Sequence, residues 1–151
     1  MVCEWVPPRG SSRLHADFES GTLGHGSSTK GAAMSARMGL VLDCADPETL
    51  AAFWAPAIGY TTVGSEGSYV MLLPADGDGP QLLLQRVGEA KVAKNRMHLD
   101  IHVADIEAEA DRLAALGARR LQTESLEEYG TSWFLMADPE GNEFCVCDSG
   151  T

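Results

Sequence analysis

Apolar and polar residues alternate along the chain from residue 38 onward, and the pattern runs through one cycle and then repeats. Residues 38–44 place Leu40, Leu42 and Cys44 on one face and Gly39, Val41 and Asp43 on the other, the period of two expected of a half-buried strand. Asp46 and Pro47 then predict a helix start. A carboxylate at the N-cap accepts amide protons that the first turn leaves unpartnered, and a proline at the first helical position gives up an N–H that has no partner. Leu50, Phe53, Trp54, Ala57 and Ile58 recur at three- and four-residue spacing, which gathers them into one stripe, and Gly59 predicts a left-handed cap. Strands are predicted over residues 60–63, 69–73 and 81–87, the last after a turn-rich stretch over 75–80.

The cycle begins again 59 residues later, where Ile101-His102-Val103-Ala104-Asp105-Ile106-Glu107 echoes Leu42-Asp43-Cys44-Ala45-Asp46-Pro47-Glu48. Residues 98–103 alternate His98, Asp100 and His102 against Leu99, Ile101 and Val103. Asp105 caps a helix whose apolar positions are Ile106, Ala110, Leu113, Ala114 and Leu116, and Gly117 closes it. Strands follow near 119–122, over 133–137 and, after the turn at 138–142, over 143–147. The chain therefore predicts two β-α-β-β-β units of α+β class. A single layer of helix and sheet leaves one sheet face uncovered, so two units are expected to set their sheets side by side as an eight-stranded cup with helices outside. Gly39, Val41, Asp43, His98, Asp100 and His102 would then line the cavity.

Composition separates this folded unit from what precedes it. Residues 1–37 hold Pro7-Pro8, five glycines and six serines without helical or strand periodicity, so they predict a disordered tail ahead of a domain over 38–151. Met34 and Met38 stand where the folded pattern begins, which makes either an alternative start to Met1. The chain carries 11 Lys and Arg against 22 Asp and Glu, a net charge of −11. The tail holds Arg9, Arg13, Lys30 and Arg37 against Glu4, Asp17 and Glu19, which leaves −12 to the domain. Clustered basic residues are what sequence-blind binding of nucleic acid or anionic membrane requires, so both classes are excluded as partners. No segment is long and apolar enough to span a bilayer or to serve as a secretory signal, and a cytoplasmic protein with reduced thiols is expected. Cys145 and Cys147 share one strand face, while a zinc site built on them would want further Cys or His at metal-ligand spacing.

Paired β-α-β-β-β units, a first strand followed by Asp46-Pro47-Glu48 and then Phe53-Trp54, and a closing Ala137-Asp138-Pro139-Glu140-Gly141-Asn142-Glu143-Phe144-Cys145-Val146 resemble the vicinal oxygen chelate superfamily of glyoxalases, bleomycin-resistance proteins and dioxygenases. Lys94-Asn95-Arg96-Met97-His98-Leu99-Asp100 is similar to its glyoxalase-like subfamily. The resemblance implies a small-molecule enzyme of lyase, isomerase or dioxygenase type, or a non-catalytic protein that sequesters a compound as drug-resistance members do, and it suggests a homodimer. It also implies a divalent metal held by four side chains, at positions that fall here on Gly39, Leu83, His98 and Cys145. Only His98 is a ligand of the usual type; a shift of two residues would substitute Gln85 and Glu143, while the remaining expectation is a protein with no cofactor.

The candidate chemistry gathers at the predicted cavity. His98 is either a metal ligand or a hydrogen-bonded pocket histidine. Asp43 and His102 occupy equivalent places in the two units with Asp100 beside His102, and a carboxylate near an imidazole is the arrangement of a general base or of a structural pair. The candidate catalytic residues are thus His98, His102, Asp43 and Asp100, and the pocket set adds Gln85, Trp133 and Cys145. Tyr69 and Trp133 would supply aromatic walls, whereas Trp54 lies on the helix stripe and belongs to the core. Cys145 is a nucleophile only if its thiol is acidified, and otherwise an inert strand residue. Glu107, Glu109 and Asp111 form a solvated helix face, and Glu124, Glu127 and Glu128 fall in a long loop at the rim. With Asp43 and Asp100 inside, that rim favours a neutral or cationic small molecule.

Overall fold

The computed structural model describes residues 38–149, so the expected tail over 1–37 lies outside the described residues. The first module contains β1 (Gly39–Cys44), α1 (Pro47–Ile58), β2 (Tyr60–Glu66), β3 (Tyr69–Pro74) and β4 (Gln81–Arg86). The second contains β5 (Asp100–Val103), α2 (Ile106–Ala115), β6 (Arg119–Arg120), β7 (Leu126–Glu128), β8 (Thr131–Ala137) and β9 (Glu143–Asp148). Local chemistry sets the helix ends as their sequence implies. Asp46 Oδ1 accepts from the Thr49 amide at 3.4 Å and Gly59 closes α1 at φ +69°. Asp105 Oδ1 accepts from the Ala108 amide at 3.0 Å. Gly117, at φ +114°, lets the amides of Gly117 and Ala118 return to the carbonyls of Ala114 and Leu113, a Schellman closure that brings buried Leu113 and Ala118 together.

The strands form a four-stranded sheet ordered β1-β4-β3-β2 and a five-stranded sheet ordered β5-β9-β8-β6, with β7 also on β8. In both modules the first and last strands are parallel neighbours and the remaining pairs antiparallel. The second module departs from the predicted five elements. The counterpart of β2 is split in two, β6 pairing with residues 136–137 of β8 and β7 with residues 131–133. The region of Glu127 and Glu128, expected as open loop, is therefore a hairpin strand. Its two-residue turn uses positive φ at Tyr129 (52°) and Gly130 (79°), the twist-matched geometry that joins adjacent strands tightly. The acidic face of α2 is also not simply solvated: Arg120 pairs with Glu107 at 2.9 Å and with Asp111 at 2.8 Å, and Arg112 with Glu109 at 2.6 Å.

One apolar core joins the modules. α1 covers the first sheet and α2 the second, while Leu50, Phe53, Trp54, Leu72, Leu82 and Leu84 merge with Leu113, Phe134, Met136, Phe144 and Val146. Phe53, Trp54 and Phe144 form a cluster with ring centroids 5.0 to 6.0 Å apart, the edge and tilted contacts that aromatic quadrupoles favour. Polar ties cross the same boundary. The Arg112 guanidinium donates to the carbonyls of Pro56 (3.1 Å) and Ala57 (2.8 Å) at the end of α1, where carbonyls lack helical partners. The Glu140 carboxylate accepts from the amides of Ala45 and Asp46, both at 2.6 Å, at the start of α1.

Asp138 stands at the centre of these ties, buried at 3% exposure. Its Oδ1 accepts from the amides of Glu140 (3.0 Å) and Asn142 (2.9 Å), and its Oδ2 from Asn142 Nδ2 (2.9 Å) and Trp54 Nε1 (3.1 Å). Replacing it strands four buried or part-buried donors, so Asp138→Ala is expected to lower unfolding free energy by about 3 kcal/mol. Trp54→Phe keeps an aromatic ring but removes one donor and is expected to cost about 1 kcal/mol. Urea unfolding of both variants checks the order of the two losses.

Candidate functional site

The alternation along each strand sends one residue set into the shared core and the other to the opposite, open sheet face. Val41 is 54% exposed and Gly39 and Asp43 are exposed, whereas Cys44 is 3% exposed and Leu40 and Leu42 pack against the core. Register then arranges the open face into matching rows. In the first module Asp43 lies opposite Gln85, which lies opposite Tyr69, and the next row is Val41, Leu83 and Met71. In the second module His102 lies opposite Cys147, which lies opposite Trp133, and the next row is Asp100, Cys145 and Leu135.

The densest chemistry is at the start of β5. His98 precedes the strand, and the hydrogen bond that the Cys145 N–H donates to the Leu99 carbonyl at 2.9 Å carries the β5–β9 ladder up to it. His98 Nδ1 lies 2.7 Å from Asp100 Oδ1 and 3.9 Å from Cys145 Sγ. Ligand-type atoms of the three side chains all fall within 4.8 Å of one another. The imidazole and carboxylate are open to solvent, at 38% and 41% side-chain exposure, while Cys145 is buried beneath them. Burial, reinforced by the negative charge of Asp100, pushes the Cys145 thiol up to about 12. Burial likewise raises Cys147. Neither is an acidified nucleophile.

The carboxylate–imidazole pair thus forms between Asp100 and His98. Asp43 and His102 are exposed on their own strands, and among the described residues no hydrogen bond joins them. Glu143 has been drawn elsewhere: its Oε2 accepts from the Asn95 amide and from Lys91 Nζ, each at 3.0 Å. The Asn95 amide, with Lys91 in support, holds that carboxyl down at about 2 despite partial desolvation. Gln85 lies in the other sheet, beside Asp43. Trp133 is half-buried between Cys147 and Leu126. Lys91 and Asn95 were not legible as site residues, because they lie on a connection whose path no periodicity specifies. A cleft of about 40 Å³ separates Leu40 and Leu42 from Met97, His98 and Leu99, space for water rather than for an organic ligand. A wider groove of about 680 Å³ runs past Asp43, Val87, Glu89, Lys91 and Glu140.

Comparison with known families fits this architecture. A glyoxalase-like domain profile matches residues 39–147. The chain belongs to the glyoxalase-like domain family. Solved structures share its fold at low identity. A hypothetical protein from S. aureus is 14% identical with a TM-score of 0.62, covering 80% of this chain and 99% of its own. A protein from Agrobacterium tumefaciens is 22% identical with a TM-score of 0.63, covering 78% and 100%. A glyoxalase/bleomycin resistance protein/dioxygenase family enzyme from Burkholderia phytofirmans PsJN is 13% identical with a TM-score of 0.62, covering 74% and 96%. No curated protein matches the sequence. At these identities the neighbours show a shared α+β fold, and no helix among the described residues is long and apolar enough to cross a membrane.

The four positions that the superfamily resemblance assigns to a divalent ion do not fit one here. Gly39 and Leu83 carry no donor, and a Cβ on Gly39 would meet Gln81 Nε2 at 3.1 Å, so that space is already filled by an amide side chain. Cys145 presents a protonated thiol where a hard carboxylate is usual. A hard-ion centre spanning both modules is therefore not available, and the donor atoms that do converge belong to the second module alone.

The Glu143 clamp makes stability depend on pH. Its folded-state value near 2 lies below the ordinary 4.5, so ionised Glu143 stabilises the fold fully above about 4.5, and this stabilisation is lost as pH falls towards 2. Urea midpoints across that window are expected to fall more steeply for the natural protein than for Glu143→Gln. The Cys145 thiol, with a thiolate fraction of roughly 10⁻⁵ at neutral pH, is expected to alkylate more than about a hundredfold slower than free cysteine, checked by mass-spectrometric mapping.

Proposed function

We propose that the protein binds a small neutral or cationic organic molecule against its open sheet face and transfers a proton on it through His98, an isomerase- or lyase-type activity without a hard divalent ion. The observation that carries this reading is the 2.7 Å contact between His98 Nδ1 and Asp100 Oδ1. An ionised carboxylate only accepts, so the bond keeps the proton of a neutral ring on Nδ1 and leaves the Nε2 lone pair to take a proton from a bound ligand. Asp100 then stabilises the imidazolium until the proton returns. Asp43, Tyr69 and Trp133 supply a negative charge and two aromatic groups to the open face, which suits cationic or aromatic ligands.

The same acidic and aromatic groups support a second reading, sequestration of a cationic compound without turnover. Protein treated with chelator is to be screened by thermal shift against small organic cations and carbonyl compounds, with each stabilising ligand followed by NMR for conversion. Proton transfer predicts conversion lost at least about a hundredfold in His98→Ala, with ligand affinity changed only a few-fold. Binding without conversion by the natural protein selects sequestration, and no stabilising ligand in either class overturns both readings. Asp43→Asn is expected to weaken a bound cation about tenfold, read by calorimetric titration.

A further inference from the structure

We infer that His98, Asp100 and Cys145 form a three-ligand site for a borderline-soft divalent cation of the zinc type, contained entirely within the second module. The site keeps His98 and Cys145 of the superfamily's four positions but replaces the two in the first module with Asp100, which lies outside that pattern, and it does not rest on the proton-transfer reading above.

The backbone holds the three donors in register. Asp100 and Cys145 are direct partners on parallel strands, and the Cys145 amide bonds to the Leu99 carbonyl between His98 and Asp100. Alternation puts His98 and Asp100 on one face, and the 3.9 Å approach of His98 Nδ1 to Cys145 Sγ puts the sulfur there with them. Tetrahedral zinc, with bonds of about 2.0 Å to nitrogen and oxygen and about 2.3 Å to sulfur, separates nitrogen from sulfur by roughly 3.5 Å and nitrogen from oxygen by roughly 3.3 Å. The separations here are 3.9 and 2.7 Å, so each of these two needs to change by less than 1 Å, and the carboxylate oxygen lies within 4.8 Å of the sulfur. His98 and Asp100 are solvent-exposed and free to make them, whereas buried Cys145 is the fixed point.

Donor chemistry selects the ion. A thiolate, an imidazole and a carboxylate suit zinc, cobalt or a similar cation and disfavour magnesium or calcium, which take oxygen ligands. The two anionic ligands balance the ion's double charge. Three protein ligands leave a fourth position to water, the count found in catalytic rather than structural zinc sites. The proton balance is explicit: the Cys145 thiol proton leaves to solvent, and the imidazole proton passes from Nδ1 to Nε2 so that Nδ1 can ligate. The ion thus takes the same nitrogen and carboxylate that form the metal-free pair, and the two states exclude each other.

The test uses the full chain under reducing conditions, with cobalt(II) as a coloured stand-in. One equivalent is expected to produce a thiolate-to-cobalt charge-transfer band, displaced by zinc and not by excess magnesium. Cys145→Ser should abolish the band, His98→Ala and Asp100→Asn should weaken cobalt binding about tenfold or more, and Cys147→Ser and Glu143→Gln should leave both unchanged. Zinc protection of Cys145 from alkylation in the natural protein, followed over an exposure long enough to modify the slow metal-free thiol, gives a reading that needs no variant to fold. A missing band at stoichiometric cobalt, a band that survives Cys145→Ser, or alkylation of Cys145 unaffected by zinc overturns the site. Ligand screening on chelator-treated protein is independent of each of these outcomes, so either result can fail alone.

Discussion

Much of the molecule hangs on the buried carboxylate of Asp138. A charged group taken out of water is tolerable only if its lone pairs are satisfied, and here four donors converge on it. Two are amides of its own turn and one is the Asn142 side chain, so the carboxylate fixes the conformation between β8 and β9. The fourth, Trp54 Nε1, comes from the first module's helix. A single side chain thereby sets the start of β9 and anchors α1 against it, and the aromatic contact of Trp54 with Phe144 consolidates the same junction. Because β9 starts where this turn releases it, Cys145 falls opposite Asp100 and Cys147 opposite His102. The site's geometry follows from an interaction at the turn that precedes β9.

The two modules repeat one plan but do not share the chemistry. On the first module's open face, the row of Val41, Leu83 and Met71 is apolar, and Gly39 offers only backbone under the Gln81 amide. The second module has Asp100 and Cys145 in the equivalent row, with His98 beside them. A superfamily centre built from both halves therefore has donors on one side only. The Lys91–Glu143 ion pair sharpens this asymmetry. It uses the nearby Glu143 carboxylate to tie down the connection between modules, and what remains near His98 is a nitrogen, an oxygen and a sulfur in one compact group.

Features governed by residues close together in the chain are legible in the sequence itself. The helix caps at Asp46 and Asp105, the glycine closures at Gly59 and Gly117, the repeat of 59 residues and the inward and outward strand faces all follow from periods of two and 3.6 and from residues that satisfy backbone groups within a turn. The absence of donors at Gly39 and Leu83 is a property of residue type alone. The split of the expected outer strand into β6 and β7 was not legible, because pairing with β8 depends on where the intervening chain leaves the ladder rather than on local alternation.

Tertiary structure alone decided which carboxylate meets which base. Sequence set Asp43 and Asp100 as candidate partners of His102, and it left Glu143 free to serve a metal. The fold pairs Asp100 with His98 and gives Glu143 to Asn95 and Lys91. The physical reason is the range of the interactions. Caps and strand faces are settled by backbone geometry over a few residues, but a side-chain hydrogen bond requires atoms within about 3 Å, and across loops and neighbouring strands only the completed packing sets distances that finely.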